Sequence, residues 1–279
     1  MPHSPDPDVE VPHPIMRMGW EQLTFIHWAY APHEVQRLLP AGLTPHVFEG
    51  QAWVSLVPFV MRVGFPGTGV IPWLGVFPET NVRTYVNASD GTVGIWFFSL
   101  DAARMAAVVA GRVGYRLPYM WSKMSVDVSD GDLRAEGAGG TAVYDCVRRM
   151  PGPRGARSGV TVRVGERLGD DELLERDHFL SARWRLYSKM FRSGWSADAN
   201  HVRWPLHRAT LERYDDELIE AAGLSAPRGE PIVQYSPGVQ VAVSIPHRLR
   251  PANLFHPPAS GTSAPGVRPR TDRSPHPSP

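Results

Sequence analysis

The sequence predicts a β-rich α+β fold with few helices, and three observations carry that prediction. Apolar and polar residues alternate with a period of two through most of the chain. The alternating runs are rich in β-branched and aromatic residues, and they end at turn dipeptides such as Asp90-Gly91. Helical periodicity is confined to short stretches.

In chain order, residues 20–28 (WEQLTFIHW) form the first strand. A short helix then runs from Pro32, which presets its first turn, through Leu39, with Glu34 favouring its N-terminus and Pro40 ending it. Glu49-Gly50 turns the chain into a strand over 52–63, and Ser89-Asp90-Gly91 joins strands at 80–87 and 93–99 as a hairpin. Residues 101–112 (DAARMAAVVAGR) read as a helix capped by Ser99 or Asp101, and their Ala, Val and Met content predicts burial. A strand at 121–128 meets a turn at Gly131-Asp132. Further strands follow near 137–148, 159–165, 182–190, 202–213 and 232–245, about ten in all. PGPRGAR (151–157) is an exposed hairpin loop, and a polar helix follows Asp215 and stops at Gly223. No internal repeat or domain linker is visible.

Composition narrows the function. The 279 residues carry a formal net charge of +1, so the clustered basic charge that nucleic acid demands is missing. No apolar stretch approaches the ~18 residues of a membrane span, and no signal-like segment opens the chain, which predicts a cytoplasmic protein with no membrane partner. A single cysteine, Cys146, excludes an intramolecular disulfide and a Cys-built metal site; its strand context makes it a small core residue. Pro-rich, aperiodic segments at 1–14 and 251–279 are expected to be disordered tails around one domain at 15–250. Only two lysines occur, Lys123 and Lys189, so amine chemistry has two candidates.

Standard catalytic motifs are absent: there is no HExxH, GxSxG or Walker loop. His201 and His207 are spaced as ordinary histidines rather than a metal pair, and neither metal nor cofactor is called for. The informative stretch is PETNVRTYV (78–86). In a strand, Glu79, Asn81, Arg83 and Tyr85 share one face, and Thr80, Val82, Thr84 and Val86 the other; with the polar row in a barrel interior, burial is expected to separate the two faces. Facing solvent, the polar row would be an ordinary hydrated surface. Facing an interior, Arg83 would clamp a carboxylate, Glu79 would act as acid or base, and Asn81 and Tyr85 would orient the ligand. Aromatics around this strand, Trp28 and Trp96 among them, supply either core packing or cavity walls. His27 is either a hydrogen-bonded core residue or a proton-transfer group.

Several stretches carry a family resemblance: FIHWAYAPHEVQRLLPAGL (25–43), FEGQAWVSLVPFVM (48–61), FPETNVRTYV (77–86), GIWFFSLDAAR (94–104), YRLPYMWSKMSV (115–126), FLSARWRLY (179–187), HVRWPLHRA (201–209) and QYSPGVQVAV (234–243). Together they resemble the family of unknown function DUF2071, also called YqjF-like, over almost all of residues 18–245. That family is grouped by fold with acetoacetate decarboxylase, which implies a cone-like closed β-barrel around a pocket, with a few helices outside, and favours an interior PETNVRTYV face. In the decarboxylase a lysine after Gly-Phe-Pro forms a Schiff base, helped by an adjacent lysine. The matching stretch here resembles Arg116-Leu117-Pro118-Tyr119-Met120, with Tyr119 and Met120 where the lysines would stand. A phenol forms no imine, so the resemblance implies the pocket without that mechanism, with Tyr119 donating a hydrogen bond or exchanging a proton. Glu79 resembles an acidic residue of the decarboxylase pocket.

Lys123 shares a strand face with Ser125 and Asp127, which predicts a surface ion pair, and Lys189 sits on a basic face with Arg183 and Arg185. The leading expectation is a pocket protein that binds or transforms a small keto acid or other carboxylate, as a lyase- or isomerase-type acid–base enzyme if it is catalytic. The alternative is a non-catalytic binding or structural module that keeps the barrel. A weaker third reading gives the Arg/Pro-rich tails a role in protein interaction. A homo-oligomer is left open.

Overall fold

The computed structural model describes residues 6–7, 9–129, 139–190 and 193–249. The Gly131-Asp132 turn, the segment from 250 onward and residues 1–5 and 8 of the expected N-terminal tail lie outside the described residues. Within the rest of that tail, Asn200 Nδ2 donates to the Val9 carbonyl at 2.6 Å and Arg203 pairs with Asp6 at 2.7 Å.

Fourteen strands are described: β1 (Met16–Tyr30), β2 (Leu43–Pro45), β3 (Ala52–Phe65), β4 (Gly69–Val70), β5 (Val76–Ala88), β6 (Val93–Ala102), β7 (Tyr119–Ser129), β8 (Gly140–Met150), β9 (Arg157–Arg167), β10 (Arg185–Met190), β11 (Ser193–His201), β12 (His207–Asp216), β13 (Ile232–Val243) and β14 (His247–Arg248). The helices are short: α1 (Pro32–Gln36), α2 (Met105–Ala110) continued by a π-helical turn at Gly111–Tyr115, α3 (Glu175–Ser181) and α4 (Leu218–Ala221). The alternating runs at 20–28, 52–63, 80–87, 93–99 and 121–128 all lie inside strands, and residues 151–156 of the expected loop join β8 to β9.

Pairing makes one sheet that closes on itself twice. β6 changes neighbour along its length, pairing with β10 at Ile95–Trp96 and with β7 at Leu100–Ala102. β13 does the same, pairing with β12 at Gln234–Tyr235 and with β11 at 241–243. One circuit therefore runs β6-β7-β8-β9-β12-β13-β1-β3-β5 and the other β6-β10-β11-β13-β1-β3-β5, with five strands shared. Side chains of the shared strands that point into the first circuit, such as Ile26, Leu56 and Val82, join Tyr144 of β8 and Val162 of β9 in one core. Those pointing the other way, such as Leu23, Phe25, Val57, Phe59 and Phe77, form a second apolar cluster with Val241.

This double closure corrects one expectation. Burial does not separate the two faces of PETNVRTYV, because Thr80, Val82, Thr84 and Val86 are as buried as Glu79, Asn81, Arg83 and Tyr85. A strand shared by two closed circuits has no solvent face, and Thr84 meets the cost of its buried hydroxyl by donating to the Trp53 carbonyl at 2.8 Å.

The helix expected over 101–112 is also corrected. Asp101 and Ala102 end β6, and α2 begins only at Met105, with no side-chain cap from Ser99 or Asp101. Asp101 is instead a fully buried ion-pair partner of Arg148 at 2.6 Å, with Ser122 Oγ donating to it at 2.7 Å. A carboxylate so engaged cannot cap a helix. Nor is α2 largely buried: Val108 is its one buried residue, while Met105 and Val109 face outward.

Candidate functional site

The second circuit surrounds a cavity of about 470 Å³, closed on one side by α2 and the π-helical turn. Because side chains alternate along a strand, β5 presents Phe77, Glu79, Asn81 and Arg83 to it in sequence. On the adjacent strand β3 the paired positions Met61, Phe59 and Val57 extend the same wall sideways, and Val63 and Phe65 continue it outward. The cavity thus has a polar, deeply buried end near Arg83 and an apolar end toward Phe65.

Glu79 lies between them. It is 2% exposed, and its Oε2 accepts a hydrogen bond from the Tyr119 hydroxyl at 3.0 Å. Burial pushes the Glu79 carboxyl up to about 8; hydrogen bonds from Tyr119 and Asn81 oppose that rise and the charge of Asp101 adds to it. Near neutral pH it is mainly a protonated acid. Tyr119 is held well above the usual phenol range, by burial first and then by the neighbouring Glu79. The approach of the Tyr119 ring depends on Gly111, since a Cβ there would stand 2.3 Å from the ring. Arg112 Nε pins the same residue by donating to the Tyr119 carbonyl at 2.6 Å.

Arg83 is 5% exposed, and its guanidinium lies 5.3 Å from the Phe25 ring centroid and 5.9 Å from that of Tyr85. Its Nε has no hydrogen-bond partner, and no carboxylate among the described residues pairs with it. Asn81 Oδ1 is likewise buried without a partner. A second guanidinium, Arg183, also lines the cavity and stacks over Phe179 and Tyr85. Burial, reinforced by Arg83, lowers Arg183 to about 9, with Tyr85 opposing. The polar end therefore holds two cations, with a protonated acid next along the wall, an electrostatic environment suited to an anion.

The structure brings Glu79, Asn81, Arg83 and Tyr119 together and places the other candidates elsewhere. Tyr85 donates to the Leu180 carbonyl at 2.7 Å and contacts Ser55 at 2.9 Å, outside the cavity lining. His27 is fully buried, with Nδ1 2.6 Å from Ser55 Oγ; burial, with the charges of Arg83 and Arg176, keeps its imidazole well below the usual range and so neutral. Trp28 packs in the first core, 5.0 Å from Tyr214. Trp96 lines a separate surface groove of about 600 Å³, together with Lys189. Both lysines are exposed, and neither lines the cavity. Lys123 and Asp127 share the outer face of β7 as expected, but no ion pair joins them among the described residues. His201 and His207 bond through Nδ1 to the carbonyls of Val202 and Gly165 at 2.7 and 3.2 Å. Among the described residues no group of three metal-ligating side chains occurs, and no helix is long and apolar enough to cross a membrane.

Two participants escaped sequence reasoning. Arg183 was read as part of a basic face, although its period-two spacing with Arg185, another cavity residue, was the available signal. Gly111 gave no signal, because its role is the space it leaves for a ring eight residues later.

Comparison with known proteins agrees with this geometry. The uncharacterized protein YqjF of Bacillus subtilis (strain 168) is 30% identical over 223 residues, covering 80% of this chain and 87% of that protein. An acetoacetate decarboxylase-like enzyme from Sphingomonas wittichii RW1 superposes with a TM-score of 0.56 at 14% identity, over 87% of this chain and 96% of that one. The enduracididine biosynthesis enzyme MppR complexed with pyruvate gives 0.55 at 14% identity, over 86% and 91%. The fold is thus like that of acetoacetate decarboxylase-like proteins. Residues 17–240 match DUF2071, described as an uncharacterized conserved protein, and the chain belongs to that family.

Proposed function

We propose that the double-closed sheet acts as a barrel around a binding site for a small carbonyl-bearing carboxylate, and that Glu79 and Tyr119 handle protons there without an imine. The observation that carries this reading is Arg83, a buried guanidinium that lines the cavity with no protein counter-charge. Such a charge loses several kcal/mol of hydration, and a ligand carboxylate seated bidentately on it would offset that loss. A carbonyl placed toward Glu79 would meet an acid that stays protonated to about pH 8 and is oriented by Tyr119. That pair supports enolisation or dehydration chemistry by proton transfer. With neither lysine in the lining, the Schiff-base route of a decarboxylase has no amine.

Calorimetric titration with a panel of 2- and 3-keto acids tests this reading. Binding that weakens about 100-fold or more in Arg83→Met is the expected result, since stranding one member of a buried charge pair costs ~3–5 kcal/mol. Equal affinity in both proteins would overturn it.

A further inference from the structure

We infer that the ligand is amphipathic: a carboxylate headed by an apolar chain of medium length, its head at Arg83 and its tail along the β3 wall toward Phe65. The inference rests on the reading of Arg83 as carboxylate anchor and adds what fills the remaining space.

Charged cavity residues are confined to one end and the middle, and the hydroxyl of Tyr115, toward Met16 and Val243, is turned to the Ser244 carbonyl at 3.3 Å. Beyond Glu79 the walls are Phe77, Met61, Met18, Val63 and Met16, with Ala107 of α2 across from them. A site for pyruvate-sized acids has no use for that extension. The volume of about 470 Å³ holds about 16 non-hydrogen atoms at the roughly 30 Å³ that a water molecule takes in the liquid. Subtracting the carboxylate and a carbonyl leaves about 11 chain atoms at that same packing. Methionine thioethers adapt to the shape of a flexible chain better than branched side chains do. The far end is not sealed: Phe65 and Leu74 line the cavity yet are 50% and 51% exposed. A chain longer than the cavity would emerge between them.

Two features of binding follow. Each methylene buried in the apolar section tightens binding by about 3–4-fold, the equivalent of ~0.8 kcal/mol per CH₂. Once the chain reaches the Phe65 and Leu74 rim, added methylenes meet water and the gain stops.

Calorimetry on the full-length protein with the even-numbered alkanoates from butyrate to hexadecanoate, each below its micelle concentration, tests this directly. Affinity should climb about 3–4-fold per methylene and level off near fourteen carbons, the length at which an alkanoate reaches about 16 non-hydrogen atoms. Decanol and decylamine serve as head-group controls and should bind at least tenfold more weakly than decanoate. Arg83→Met should weaken decanoate and leave decanol unchanged. Met61→Trp, which narrows the tail section, should bring the plateau to shorter chains; Ala107→Leu is the gentler second variant. Affinity independent of chain length, with short keto acids still bound through Arg83, would overturn the amphipathic ligand and spare the anion site. Decanoate and decanol binding alike, with both indifferent to Arg83→Met, would overturn the head placement and the proposed function with it.

Discussion

Replacing Arg83 with methionine should make the unliganded protein more stable while removing its affinity for carboxylates. The substitution keeps much of the side-chain volume and the stem packed near Phe25, and removes a charge that no described carboxylate neutralises. Retaining an unpaired ion in the interior costs several kcal/mol, against which the two aromatic contacts return about 0.5–2 kcal/mol each. The difference is about 2 kcal/mol in favour of the variant. For a domain of this size 1 kcal/mol moves Tm by about 2–4 °C, so the gain should be about 4–8 °C. Differential scanning calorimetry at pH 7 without ligand reads it, alongside titration with a keto acid. Higher Tm with lost binding is the signature of a group kept for function. A variant that melts several degrees lower would refute the reasoning, because it would show Arg83 to be a structural fastener.

Other consequences are equally direct. Glu79 has a folded pKa of about 8, above its value in the unfolded chain, so its contribution to stability is complete at low pH and is lost as pH rises through about 8. Stability should fall by up to ~1.4 kcal/mol per pH unit within that window, and Glu79→Gln should flatten that slope in Tm measured from pH 5 to 8. Carboxylate binding to the wild type should weaken as pH passes 8, where Glu79 ionises, and Glu79→Gln should remove that step and leave only the weakening near pH 9, where Arg183 loses its proton. Gly111→Ala should displace the Tyr119 ring and abolish the hydrogen bond to Glu79; a crystal structure checks the displacement, and the folded pKa of Glu79, read from the stability profile, should rise because that hydrogen bond opposes the effect of burial. Borohydride added with pyruvate should leave the protein mass unchanged by any lysine adduct, as mass spectrometry of peptides containing Lys123 and Lys189 would show. Arg148→Met should destabilise by ~3–5 kcal/mol, since it leaves Asp101 buried and unpaired, and the double variant Arg148→Met, Asp101→Leu should recover most of that loss. Chemical denaturation measures both.

Much of the fold was legible because its strands alternate, and alternation is a local property. The five strongest runs, the Asp90-Gly91 hairpin and the 151–157 loop needed no information from elsewhere in the chain. Double burial of β5 was not legible. It depends on β6 and β13 each changing partner along one edge, and those partners lie 19 to 91 residues away. The same distance hid Asp101: beside an Ala-rich segment it reads as a helix cap, until Arg148, 47 residues on, turns it into half of a buried ion pair.

Within the site, Glu79, Asn81 and Arg83 were legible as one strand face, and Tyr119 through its place in a family-like stretch. Their meeting across 40 residues was not. Tyr85 shows the limit of the face argument. It follows the same alternation, yet a carbonyl from the end of α3 claims its hydroxyl. Trp28 illustrates another limit, since aromatic density does not tell which of two circuits a ring will fill.

A crystal structure of the protein with a bound 2-keto acid tests the central claim most directly. The account predicts the carboxylate oxygens at about 2.7–2.9 Å from the Arg83 guanidinium, with the carbonyl turned toward Glu79 and Tyr119. A ligand bound away from Arg83, or Arg83 paired with a protein carboxylate, would contradict it.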